Sequence, residues 1–359
     1  MEVASPLEIF GRQVQFQQIT KILACNGDLL IAGIPGSGRR TLVRRAAREI
    51  NAKTIDIDCI RATNSQRFLQ LFCEGASNAF QSETALSVIE KWLATQAGEL
   101  FAPAIKGGIE PKPIALKQEQ WLAFKLLIQL TQQVAESVDR KVVTIFHGFP
   151  HIRSWDRQNK WEKFLRDEIE SKTAVSYALV ATIGEISTIA DKNLEIVKLY
   201  PLADRVVAAG VQDILRQQGL TFDPRSKALE IFLNAVQGHL KDTSSLLRRL
   251  SQLKLDRGII GEAEVNQTIE EILSDLSTTF ESLLGLLPAN QAHLLESLAL
   301  DPTTKPQSKE YINKHYLSRG GSLQGAIAGL QNKGLIYGPE LGYKIALPLF
   351  ALWLRQRLS

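Results

Sequence analysis

Gly33 and Gly38 close an apolar run, Leu29-Leu30-Ile31-Ala32, and stand just ahead of an amphipathic segment that begins at Thr41. In the pattern G-x-x-x-x-G-K-[S/T], such glycines turn backbone N–H groups inward around a phosphate, and the following helix adds partial positive charge. Pro35, Gly36 and Ser37 lie between the glycines, and Leu42 begins the apolar face of the helix. The next two positions depart from the pattern. Arg39 stands at the lysine position, and Arg40 stands at the magnesium-binding hydroxyl, with Thr41 one place late. A guanidinium grips phosphate through a planar fork and does not replace an ammonium point charge without cost. Arg40 cannot ligate a metal, so the chemistry expected here is phosphate binding without Mg²⁺. An empty, purely structural loop is the alternative.

Phosphoryl transfer also needs acids. A strand-end carboxylate helps hold Mg²⁺, and another positions the attacking water. The apolar run where they belong, Val142-Val143-Thr144-Ile145-Phe146, ends instead in His147-Gly148. A bound metal supplies several kcal/mol of transition-state stabilisation, so losing its protein anchors predicts negligible hydrolysis. His147 has no acid beside it in the chain and reads as a structural or hydrogen-bonded histidine. Asp56 and Asp58 share one face of an alternating strand, but with no third ligand in view they read as surface or capping carboxylates.

Period-two alternation or short buried apolar runs place strands at 29–33, 54–60, 141–146, 175–182 and 195–200. Helical spacing covers 41–50, much of 64–101, 116–137 and 155–171, with Val14, Ile19, Ile22 and Leu23 on one face of a first helix. Prolines and glycines mark 103–113 as a loop. Helices joining buried strands predict a mainly parallel, three-layer α/β sheet. From Ala203 the pattern is helices only, at 204–218, 225–237, 240–254 and 262–276. Helices at 289–300, 308–316 and 322–333, followed by an apolar hairpin at 335–345, read as a winged helix-turn-helix.

The 359 residues suffice for two or three domains, and 45% hydrophobic with 22% charged residues is an ordinary globular composition. A formal charge of +4 is too small to imply nucleic acid without a local cluster. Met1 to Pro6 has neither a basic nor an apolar region, and no apolar run approaches bilayer length, so neither a leader nor a membrane span is expected. Cys25, Cys59 and Cys73 are odd in number and lack metal-type spacing, as in reduced thiols of a cytoplasmic protein.

Several segments in order resemble the STAND-type archaeal ATPases and origin-initiator AAA+ proteins. They are Phe10-Gly11-Arg12-Gln13 before a helix, the P-loop at 33–41, and Ala178-Leu179-Val180-Ala181-Thr182, whose Thr182 falls at the polar sensor-1 position. Leu199-Tyr200-Pro201-Leu202 is similar to the passage into the lid. In Gly238-His239-Leu240-Lys241, Lys241 replaces the sensor-2 arginine, and Gly342-Tyr343-Lys344-Ile345 through Trp353-Leu354-Arg355 is similar to a winged-helix ending. The resemblance implies an AAA+ core at 1–202, an all-α lid at 203–280 and a winged helix at 281–359. It implies ATP or ADP as ligand, with Phe10, Gly11, Arg12 and the lid around the adenine, Pro201 among the nucleotide-binding positions, and Lys241 at sensor 2 reporting the nucleotide to the lid. With the departures above, the chain looks like a pseudo-ATPase that senses nucleotide and acts on a protein partner.

The second reading is a weakly active oligomer on DNA, with Arg153, Arg157 or Arg166 supplied to a neighbouring subunit. Residues 301–359 hold eight Lys or Arg against three Asp or Glu, a modest basic bias. Arg319, Gln324 and Lys333 are the candidate DNA contacts, while apolar Leu335, Ile336 and Tyr337 suit packing on the core or on a protein.

Overall fold

A computed structural model describes residues 10–104, 108–138, 140–156, 158–170, 174–189, 194–253, 255 and 257–358. The first half is a parallel sheet of β1 (Leu29–Gly33), β2 (Lys53–Asp58), β3 (Val142–His147), β4 (Val175–Ala181) and β5 (Glu195–Leu199). Their spatial order is β2-β3-β4-β1-β5, every pairing parallel. Alternation sends Leu29 and Ile31 to one face, where α1 (Gln13–Ala24) and α2 (Arg39–Glu49) cover them with Ile19, Leu23, Leu42, Val43, Ala46 and Ala47. Leu30 and Phe146 face the other side, against α3 (Ser65–Ala79), α4 (Glu83–Leu93) and α5 (Lys117–Ser137). Phe68, Phe72, Phe124 and Phe146 form an aromatic cluster there, each burial stabilising by roughly 1.5–3 kcal/mol. This is the expected three-layer P-loop core.

The helical half comprises α6 (Lys160–Glu170), which still belongs to the core, then α7 (Asp204–Gln217), α8 (Ala228–Val236), α9 (Leu240–Leu250) and α10 (Glu262–Gly285). The winged unit has α11 (Ala289–Leu300), α12 (Lys309–Lys314), α13 (Gly321–Asn332) and α14 (Pro348–Leu358). One apolar core runs from Phe10 and Leu202 through α7–α10 to Phe350 and Trp353. The lid helices and the winged helix therefore share their buried side chains.

Several expectations are corrected. The 103–113 loop holds a short antiparallel ladder, Phe101–Pro103 with Ile109–Pro111, because its prolines sit at the ends of both strands. The region after 203 is not helical throughout: Thr221–Phe222 pairs in parallel with Ile259–Ile260. The last lid helix runs nine residues past 276, since Phe280 and Leu284 continue its buried stripe. The helix expected at 155–171 starts at Lys160, after a 3-10 turn at Phe149–Ser154. The wing is minimal, one bridge between Ile336 and Ile345 flanked by Tyr337 N–H to the Lys344 carbonyl at 2.9 Å. Among the described residues no helix is long and apolar enough to cross a membrane.

Candidate functional site

β1 ends at Gly33, where any side chain would collide with Ser37 Oγ and Leu199. Ser37 is buried and closes the loop by donating from Oγ to the Ile34 carbonyl at 2.8 Å. Gly36 and Gly38 take φ of +82° and +89°, a left-handed conformation that glycine adopts without a Cβ penalty. No side chain caps α2 at Gly38, and its first intrahelical bond is Leu42 N–H to the Gly38 carbonyl. The N–H groups of the first turn thus point outward without intrahelical partners, as an anion site requires.

A cleft of about 900 Å³ opens before this turn. Pro35, Gly36, Gly38, Arg39, Arg40 and Thr41 line it, together with Thr182, Lys241 and Lys333 from the other expected positions. Arg248 adds a further cation and His147 and His151 two imidazoles, against the acids Asp58 and Glu185. The net field is positive. Arg39 lies half-buried at the back, donating to the Ala181 carbonyl at 2.5 Å. Burial lowers its pKa to about 10, against the charge of Glu185, so it stays cationic at neutral pH.

Behind Arg40 lies a network that the linear spacing conceals. Register pairs β2 with β3, and His147 Nε2 sits 2.7 Å from Asp56 Oδ1. Arg44 Nε donates to both Asp56 oxygens at 3.0 and 2.9 Å, and Arg40 Nε stands 4.0 Å from Oδ1. His147 therefore has a partner acid after all, and Asp56 is not merely a surface carboxylate. Burial would raise the Asp56 carboxyl, but bonds from His147 and Arg44 outweigh it and hold it below its usual range. Burial, helped by Arg40 and Arg44, depresses the His147 imidazole despite that bond. Asp58 does act as a cap, accepting from Ile60 N–H at 3.2 Å.

The lid rests directly on the loop. Lys241 N–H reaches the Gly36 carbonyl at 3.2 Å, and His239 Nε2 lies 2.8 Å from the Pro35 carbonyl. His239 Nδ1 lies 3.0 Å from Asp242 Oδ2, which also accepts from Leu349 N–H at the start of α14, at 3.2 Å. Nε2 faces the Pro35 carbonyl, and Nδ1 faces both the Asp242 carboxylate and the Asp242 N–H, from which it accepts at 3.4 Å as the cap of α9. Burial alone would lower the His239 pKa, but Asp242 and the Pro35 carbonyl outweigh it and the net direction is upward. The winged helix meets the same loop. Thr182 Oγ1 lies 2.8 Å from Glu185 Oε2 and 3.1 Å from the Asn332 carbonyl at the end of α13. Gly334 packs on Pro35, and Tyr337 packs on Ile34.

The remaining candidates lie elsewhere. Phe10 packs on Gly210 and joins the lid core, and Gly11 touches Leu202 and Val206. Arg12, only 4% exposed, donates from Nη2 to the Tyr200 carbonyl at 2.6 Å, next to Pro201, while its buried Nε has no protein partner. Leu42 is buried under the sheet. These residues do not line the 900 Å³ cleft. Arg319 is exposed and bonded to Asn313 Oδ1 at 3.0 Å, and Gln324 is exposed on α13. Lys333 turns away from them, toward Gln291 Oε1 at 3.0 Å and the cleft. Arg153 and Arg166 are not free fingers: both grip buried Glu162 and the Thr188 carbonyl within the chain. Arg157 lies outside the described residues. Sequence reasoning missed Asp242, Arg248 and Asn332, read Asp56 as a surface or capping carboxylate, and quoted His239 in the lid motif without a role. Only the His239–Asp242 spacing, that of a helix cap, was open to detection.

Sheet order, loop and appended units together define a P-loop ATPase fold carrying a winged helix. Residues 278–356 match the family model described as "Probable winged helix domain". The Walker-type ATPase of Pyrococcus abyssi superposes with a TM-score of 0.66 at 17% identity, covering 97% of this chain and 96% of that one. The ORC1 protein of Aeropyrum pernix, solved in complex with DNA, gives 0.47 at 13% identity over 97% and 94%. Cdc6p of Pyrobaculum aerophilum gives 0.46 at 13% over 97% and 95%. No curated protein matches the chain in sequence.

Proposed function

We propose that the chain is a nucleotide-sensing regulator that holds ATP or ADP without hydrolysing it and passes the state of the P-loop to its winged helix. The observation that carries this is the convergence of three units on one anion-ready cleft. The loop at 36–41, the lid start at Lys241 and the winged helix at 332–333 all border it. A polyphosphate held by the α2 N–H groups and Arg40 would touch all three. Hydrolysis lacks the acids expected at the end of β3, which ends in His147, already bonded to Asp56, and then Gly148 at φ +60°. A protein partner fits the winged helix better than DNA, since the outer face of α13 offers Ser322, Gln324, Gly325 and Ala328 and no cation. Hydrogen exchange with and without ADP tests the reading. Joint protection of 36–41, 239–244 and 332–337 is expected. Unchanged exchange in all three, or steady phosphate release from ATP, overturns it.

A further inference from the structure

The metal implied by a P-loop ATPase fold is Mg²⁺, and the residues present do not fit it. The hydroxyl position is Arg40, and the strand-end acid position is His147. Of the two carboxylates near both, Asp56 is already shared by Arg44 and His147, and Asp58 caps Ile60 N–H. Among the described residues no group of three or more His, Cys, Asp or Glu is placed to hold a metal ion.

We propose that Arg40 is the built-in countercation of this cleft, so that it takes metal-free polyphosphate and rejects the Mg²⁺ complex; this rests on the polyphosphate reading above. Arg40 lines the cleft, and its side chain is 46% exposed. Its Nε lies 4.0 Å from Asp56, close enough to be aimed and too far to be spent on a tight pair. Arg40 thus brings a guanidinium to the first turn of α2, at the position where the motif has its metal-binding hydroxyl. It repels a second cation and offers a planar donor fork to phosphate oxygens. Mg²⁺ chelates a polyphosphate and shields the oxygens that this fork needs. Mg²⁺ thus acts as a competitor here and not as a cofactor.

Calorimetric titration of the full chain with inorganic tripolyphosphate and with ATP, each in EDTA and in excess Mg²⁺, tests this. The wild type is expected to bind both probes in EDTA and to lose about tenfold or more in Mg²⁺. Arg40→Thr is expected to bind about tenfold more weakly in EDTA, the size of one charge-assisted hydrogen bond, and to lose its inhibition by Mg²⁺. Arg40→Lys, which keeps the charge, should retain inhibition. Wild-type binding that requires Mg²⁺, or an Arg40→Thr profile identical to wild type, overturns the Arg40 role and leaves the sensor reading standing. If neither probe binds the wild type in either buffer, the sensor reading falls as well.

Discussion

Replacing His239 by Ala should loosen the lid and α14 together, and the size of the effect follows from three contacts. The buried ring joins the Pro35 carbonyl to Asp242, and Asp242 holds Leu349 N–H. Without the ring, Asp242 stays buried and loses its side-chain partner, which below the raised histidine value is a cation; breaking such a buried pair costs about 3–5 kcal/mol. The Pro35 carbonyl loses a donor as well, at about 1–3 kcal/mol, but the two costs share one side chain and are not summed. A loss of about 3 kcal/mol corresponds to about 10²-fold faster exchange wherever local opening controls it. Hydrogen exchange of 240–250 and 348–358 is the assay. The pH dependence supplies an independent sign. A histidine whose folded pKa lies above its ordinary 6.5 contributes fully below 6.5 and loses that contribution as pH rises through the raised value. The gap between wild type and His239→Ala should therefore be widest below pH 6.5 and shrink as the pH rises through the raised value. Exchange within twofold of wild type in both segments, or a gap that grows with pH, would refute the reasoning.

Gly36→Ala forces φ of +82° on a residue with a Cβ, and that atom would sit 2.5 Å from His239 Nε2; lid docking should weaken by about 1–3 kcal/mol, read from the same exchange peptides. Glu162→Gln should lower stability at pH 7 by about 1–3 kcal/mol in urea titration. Its carboxyl is held below its ordinary 4.5, burial notwithstanding, by Arg153 and Arg166, so this contribution is present above 4.5 and the gap should close as pH falls through the depressed value. Restoring an acid with His147→Asp sets two carboxylates together and removes the bond to Asp56. It should cost about 1–3 kcal/mol in urea and yield no phosphate release, whereas appreciable ATP turnover would show that the acid alone was missing. Adding Gly148→Glu is expected to destabilise further, because the position has φ of +60° and lies under Ile60.

The five strands, the loop and the helical units could be read from the sequence because each is a local pattern. Leu29–Gly33 is apolar throughout, Lys53–Asp58 alternates, and Leu42, Val43, Ala46 and Ala47 recur at helical spacing. The polar links of the site are not local. Asp56 meets His147 across 91 residues only because β2 pairs with β3 in one register, and Pro35 meets His239 across 204. No periodicity announces such contacts. The same limit misjudged Arg153 and Arg166, whose partners Glu162 and Thr188 become visible only once the turn at 149–154 and the segment at 186–189 are packed together. The end of α10 was missed for a different reason. Polar Ser277, Thr278 and Thr279 interrupt its stripe, while Phe280 and Leu284 extend it into a core shared with Phe350.

The central claim is that this loop holds a nucleotide intact. The most direct measurement is to incubate the full chain with γ-labelled ATP, first in EDTA and then with Mg²⁺ added, isolate the protein and identify what it carries. ATP is expected to be bound in EDTA, released in part by Mg²⁺, and recovered unhydrolysed. Recovery of ADP with free phosphate, or no label retained in EDTA, would contradict it.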